Sequence, residues 1–150
     1  MEYCFVIVDI NDSIASVGAL IHAKSTGRFL FLLRNNGGYA GTWGLAGGKI
    51  ERKETTSQAL LREIKEEIGI DLYQAKIVPV DLFTSPNGRF VYNTYIVAVE
   101  YEFLPTLNDE HRGYCWCSIG DYPKPLHPGV YGTFKIDAIQ SKIETAVHLI

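Results

Sequence analysis

Three glutamates, Glu63, Glu66 and Glu67, recur at spacings of three and four in the run Arg62-Glu63-Ile64-Lys65-Glu66-Glu67. On an α-helix turning about 100° per residue they fall together within an arc of roughly 100°. That arc is poorly placed for stability alone. Like charges three or four residues apart repel by about 0.2–0.5 kcal/mol per pair, and negative charge in the last turns opposes the helix dipole. A solvated face would intersperse lysines, yet Lys65 points elsewhere and only Arg62 lies at the edge of the arc. A divalent cation removes both penalties, and hard oxygen ligands suit Mg²⁺ or Mn²⁺. On the helix alone, a metal site and a plain charged face both stand.

The elements around the glutamates favour the metal. Thr55 with Gln58 three residues on fits a capping box that starts the helix, and Gly69 suits the left-handed residue that ends it. Leu60, Leu61, Ile64 and Ile68 form the apolar face. Before the helix, Gly41-Thr42-Trp43-Gly44-Leu45-Ala46-Gly47-Gly48 runs from an apolar strand into a loop. Glycines there let the backbone approach an anion or a metal closely.

Gly48, Glu54 and the run Arg62-Glu63-Ile64-Lys65-Glu66-Glu67-Ile68-Gly69-Ile70 resemble the complete Nudix box, with all nine specified positions filled over residues 48–70. The resemblance implies a metal-dependent enzyme that hydrolyses phosphoanhydride bonds, folded as an α/β/α sandwich around a mixed β-sheet, an α+β class. It implies Glu63, Glu66 and Glu67 as metal ligands for Mg²⁺ (or Mn²⁺), joined by a backbone carbonyl of the Gly47-Gly48 loop. Arg62 would hold a ligand carboxylate in place, with Glu54 as a further partner; a simple salt bridge between Arg62 and Glu54 is geometrically the same object. Glu110, in Asn108-Asp109-Glu110-His111, resembles the later glutamate that some members use as ligand or base, against the alternative of an ordinary loop carboxylate. Arg34 ends an apolar strand at the loop, and its fork fits phosphate oxygens; this position commonly faces substrate in the family. Trp43 and Gly48 would line the substrate side, although a tryptophan beside glycines also serves packing. His111 reads as structural or solvated; so does His127, which also stands in reserve for substrate contact. Many members carry proline where Ala46 stands and glycine where Lys53 stands, which bears on loop geometry and not on the ligands.

At 150 residues the chain is long enough for a real core and reads as one domain, 1–150. A net charge of −3 gives no broad cationic surface, so coating nucleic acid is disfavoured while a small phosphorylated molecule remains compatible. No basic region precedes the short apolar run at the start, and no apolar run is long enough to span a bilayer. Cys4, Cys115 and Cys117 are an odd count without a disulfide framework, which suits a reducing, cytoplasmic setting.

Along the chain, residues 3–8 read as a strand, placed at an edge where pairing into a homodimer is open. Residues 9–13 form a turn, and 14–23 and 28–34 form two strands joined by Lys24-Ser25-Thr26-Gly27. After the helix, residues 76–83 and 90–103 form a hairpin around Asn87-Gly88. Within it Tyr92, Tyr95, Val97 and Val99 suit the sheet core, although strict alternation fails there. Residues 104–112 read as a polar loop and 114–119 as a last strand, with Cys115 and Cys117 on one face as small buried residues. Residues 122–129 read as a proline-stiffened loop. Residues 134–150 read as one amphipathic helix, packed through Phe134, Ile136, Ile139, Ile143, Ala146 and Val147.

The resemblance further implies a nucleoside diphosphate linked to another moiety X as substrate: ADP-ribose or another ADP-sugar, a dinucleoside polyphosphate, or an FAD-like dinucleotide. Pro86, sixteen residues past Ile70, matches a mark of the ADP-ribose pyrophosphatase subgroup, although Pro86-Asn87-Gly88 also has a sufficient explanation as a turn. Nucleoside triphosphates are the alternative. A non-catalytic nucleotide sensor and an RNA-decapping enzyme are alternatives of other classes.

Overall fold

Apolar residues fill Val17 to Ala23 almost without alternation because their strand is covered on both faces. That strand is β1, Ile14–Ala23, the first element of a computed structural model that describes residues 14–150. The strand expected at residues 3–8, with the edge it offered for pairing, lies outside the described residues. β1 turns through residues 24–27 into β2, Phe29–Arg34. Short β3, Trp43–Gly44, and β4, Ala46–Lys49, follow; then come α1, Thr56–Ile68, the hairpin of β5, Ile77–Thr84, with β6, Phe90–Val99, and β7, His111–Cys117. Two helices close the chain: α2, Pro128–Phe134, and α3, Asp137–Leu149.

The pairing splits β2 away from β1. β1 is paired in parallel with β6 along its whole length. Its other edge meets β2 only at His22 and Phe29, and from Ser16 to Ala19 that edge takes β4 instead. β2 is paired with β7 throughout, and its free edge takes β3 at Leu32 and Leu33. β1 and β2 therefore meet at one end and part at the other, and the chain from β3 to β4 crosses between them at Leu45.

Two cores sandwich the sheet. Val17, Ala19, Ile21, Leu30, Leu32, Tyr95 and Val97 pack with Ala59, Leu60, Ile64 and Ile68 of α1. Leu20, Phe29, Phe31, Val80 and Ile96 pack on the other side with Val130, Phe134, Ile143 and Ala146 of α2 and α3. This is the expected α/β/α sandwich around a mixed sheet, and burial on both faces is why alternation fails along β6. No helix among the described residues is long and apolar enough to cross a membrane.

Several local readings change. Residues 46–49 are a strand rather than loop, because their backbone pairs with β1. β6 ends at Val99, and β7 spans His111 to Cys117 rather than 114–119, since β2 offers partners that far. The terminal helix is two. Pro128 starts α2 at a position that needs no N–H, and Ile136, with extended backbone (φ −86°, ψ 113°), breaks the run before α3. Ile136 is consequently 46% exposed instead of packed. Cys115 and Cys117 do share a face, their sulfurs 3.1 Å apart; Cys117 is buried and Cys115 half-buried.

Candidate active site

Helix α1 is set by local chemistry. Thr55 accepts from the Gln58 N–H while Gln58 accepts from the Thr55 N–H, and Gly69 ends the helix in the left-handed region at φ 73°. The helix packs on β1 and β4 through its apolar face, with Leu61 left half-buried. The acidic arc is not uniformly solvated. Glu66 is exposed, Glu63 half-buried and Glu67 only 2% exposed.

Arg62 organises two of these carboxylates. Its Nε and Nη2 donate to Glu54 at 2.7 and 2.9 Å, and Nη1 donates to Glu63 at 3.0 Å and Glu66 at 3.2 Å. Nη2 also donates to the Lys49 carbonyl, tying the helix to the end of β4. The Arg62 hydrogen bonds hold the Glu54 carboxyl below its ordinary value despite partial burial. Between β4 and Glu54, Lys53 adopts φ 70°, a left-handed conformation costing a non-glycine residue roughly 1–2 kcal/mol. A glycine here would avoid that cost.

The glycines of β4 fit against these groups. A Cβ on Gly48 would lie 2.5 Å from Glu63 Oε1, and a Cβ on Gly47 would collide with the backbone of Val17. Gly47 joins the site through its N–H, which donates to Glu67 at 2.5 Å.

The loop before β7 brings the remaining groups. The free carbonyls at the end of α1 accept from it: Thr106 N–H bonds Ile68 O and Asn108 N–H bonds Glu67 O. From the other side Asn35 N–H donates to the Glu110 carbonyl, and a β-bulge at Leu33/Arg34 sets Arg34 opposite His111. Ligand atoms of Glu67, Glu110 and His111 therefore lie within 4.8 Å of one another. His111 is 4% exposed, its Nδ1 is 3.7 Å from Glu67 Oε1, and neither ring nitrogen has a hydrogen-bond partner.

Electrostatics matches this arrangement. Burial first, then the Glu110 carboxyl, pushes Glu67 up to about 10, against the stabilising Gly47 N–H. Burial also raises Glu63 in spite of Arg62. Burial first, then the nearby Arg34 charge, lowers both His111 and His127, with the Glu110 charge opposing at His111. Crowded carboxylates beside an unpartnered imidazole form a donor set suited to a divalent cation.

Of the expected site residues, Glu63, Glu66, Glu67, Arg62, Glu54, Gly47, Gly48 and Glu110 are thus linked into one cluster. Arg34 adjoins them, its Nε buried without a partner. Trp43 is half-buried and forms part of β3, where its carbonyl accepts from His127 N–H. His127 caps α2 through Nδ1, which accepts from Gly129 N–H, and its ring meets Tyr39 at 4.4 Å. His111, read from the sequence as structural or solvated, lies buried beside Glu67 and Glu110; its one linear signal is its place directly after Glu110. Sequence reasoning also assigned Tyr92 to the core, whereas its hydroxyl occupies the space that Gly18 leaves by lacking a Cβ. Burial raises that hydroxyl's pKa, as does the Glu67 charge.

A family model described as the NUDIX domain matches residues 12–135 of the chain. The nucleoside triphosphatase NudI of Klebsiella pneumoniae is 31% identical over 110 residues, which cover 65% of this chain and 78% of that protein. The dihydroneopterin triphosphate diphosphatase of Haemophilus influenzae is 30% identical over 118 residues, covering 69% of this chain and 73% of that protein. A solved structure of a MutT NUDIX hydrolase from Burkholderia pseudomallei has a TM-score of 0.69 at 29% identity, over 83% of this chain and 98% of that one.

Proposed function

Because the chain belongs to the Nudix family of phosphoanhydride hydrolases, we propose that it is a pyrophosphohydrolase of nucleoside triphosphates, releasing a nucleoside monophosphate and pyrophosphate. Residues 1–150 act as one domain in this proposal. The observation that carries the reaction is the burial of Glu67 against Glu110 and the Gly47 N–H, a charge cluster that is stable only when a cation or a proton offsets it. The relatives support the substrate: the two described above, 31% and 30% identical, are named for triphosphates. That moves the reading away from a diphosphate linked to X. Pro86, the mark that pointed there, is exposed in a turn closed by Gly88 N–H on the Ser85 carbonyl, and the turn explains it fully.

Glu63, Glu66 and Glu67 would hold Mg²⁺ or Mn²⁺, which when bound supplies charge neutralisation for the phosphates. Arg62 keeps Glu63 and Glu66 in register through its fork. Arg34 would donate to a phosphate oxygen, a reading supported by its unpaired buried Nε. Glu110, an exposed carboxylate beside the buried Glu67, takes the proton of the attacking water. A non-catalytic sensor has no need of such a repulsive cluster.

Product release over a panel of nucleoside triphosphates, ADP-ribose, dinucleoside polyphosphates, FAD and NADH tests this, with metal present or chelated and Glu67→Gln alongside. Metal-dependent release of pyrophosphate from triphosphates, lost in the variant, is the expected result. Preferential cleavage of ADP-ribose or a dinucleotide would return the diphosphate reading to first place, and binding without turnover would point to a sensor.

A further inference from the structure

We propose that His111 supplies a nitrogen ligand beside Glu67 at the cation site, so that this enzyme holds Mn²⁺ in preference to Mg²⁺. The inference rests on the metal-dependent reading above and adds to it a ligand that the acidic helix does not provide.

His111 lies at the first position of β7, 4% exposed, with neither ring nitrogen hydrogen-bonded. A buried imidazole without a partner costs about 1–3 kcal/mol per lost bond, so the position needs a reason beyond packing. The ring is aimed at carboxylates: Nδ1 stands 3.7 Å from Glu67 Oε1, with a Glu110 oxygen in the same 4.8 Å group. Two atoms ligating one ion at about 2.1–2.3 Å stand roughly 3 Å apart when adjacent and about 4.5 Å apart when opposite. The observed separation falls in that interval.

The other described histidines join no such group of carboxylates, although His22 Nδ1 is also buried without a partner. His22 packs on Phe29 at the opposite end of β1, His127 caps α2, and His148 lies in the last turn of α3. Among the described residues, His111 is the imidazole that joins two carboxylates. A mixed nitrogen and oxygen set discriminates between ions. Mg²⁺ prefers oxygen and retains its waters, whereas Mn²⁺ accepts imidazole more readily.

Pulsed electron paramagnetic resonance of the full-length chain loaded with Mn²⁺ reads this directly. Nitrogen modulation should appear on the Mn²⁺ signal, and it should change to the ¹⁵N pattern when the protein carries ¹⁵N-labelled histidine. The labelling needs no substitution, so it does not depend on a variant folding. In His111→Gln, with folding checked by circular dichroism, the modulation should vanish and Mn²⁺ affinity should fall at least about tenfold, with a smaller change for Mg²⁺. Bound Mn²⁺ without nitrogen modulation, modulation that persists in His111→Gln, or no Mn²⁺ binding would each overturn the inference. The two readings fail separately: metal-dependent turnover with an all-oxygen Mn²⁺ signal removes only the histidine, and nitrogen-bound Mn²⁺ without triphosphate turnover removes only the substrate reading.

Discussion

Arg62 does more than any other single side chain to shape the acidic site. It makes five hydrogen bonds at once, two to Glu54 and one each to Glu63, Glu66 and the Lys49 carbonyl. Lysine keeps the charge but cannot reproduce a planar fork. Arg62→Lys is expected to lower metal affinity or activity about 10–100-fold, as for lost partners of metal ligands, while the melting temperature changes little; titration calorimetry with Mn²⁺ and steady-state kinetics check this. Unchanged metal affinity would mean that the fork serves the fold alone. His22 carries a different prediction, away from the site. Burial, reinforced by the Lys24 charge, lowers its pKa below the ordinary 6.5. The unfolded chain therefore binds the proton more readily than the folded one. Stability from the neutral ring is present above 6.5 and is lost as pH falls through the lower folded value. Thermal melts should show a smaller acid-side loss for His22→Phe than for the native chain, and equal losses would reject His22 as a contributor.

At the scale of elements, β4 separates stability from chemistry within two residues. A Cβ on Gly47 meets the Val17 backbone, which cannot yield without breaking the β1–β4 pairing. Gly47→Ala should destabilise by about 1–3 kcal/mol, the usual cost of overpacking, read as a lower denaturant midpoint. A Cβ on Gly48 meets the end of the Glu63 side chain, which can rotate away. Gly48→Ala should leave the midpoint nearly unchanged and lower turnover, because the displaced group is a proposed ligand. The reverse order of effects would show that Glu63 is held by the fold and not poised for the metal.

At the scale of the molecule, the site joins parts of the chain far apart in sequence: α1, β4, the end of β2 and the start of β7. A ligand that binds only the assembled form stabilises the whole by RT ln(1 + [L]/Kd), about 2.7 kcal/mol at one hundred times Kd. For a chain of this length that is a rise of roughly 5–10 °C in melting temperature. Differential scanning calorimetry with saturating Mn²⁺ against chelator should show it in the native chain and lose it in Glu67→Gln. A shift of equal size in the variant would place the ion elsewhere.

The sequence by itself determined α1 with its caps, the apolar face that docks it, the β5–β6 turn and the identity of the acidic group. Each depends on spacings of a few residues, and the physics at that range is local: Thr55 reaches Gln58, Gly69 accepts φ 73°, and the glutamates repeat with the helical turn. Only the tertiary structure decided how β1 and β2 part, that residues 46–49 form a strand, and that Ile136 divides the terminal helix. It also decided that Glu67 is buried, because burial comes from a loop some forty residues later whose N–H groups seek the open carbonyls of α1. His111 belongs to the same class. Its linear neighbours suggest a surface loop, and pairing of β7 with β2 is what carries its ring into the carboxylates.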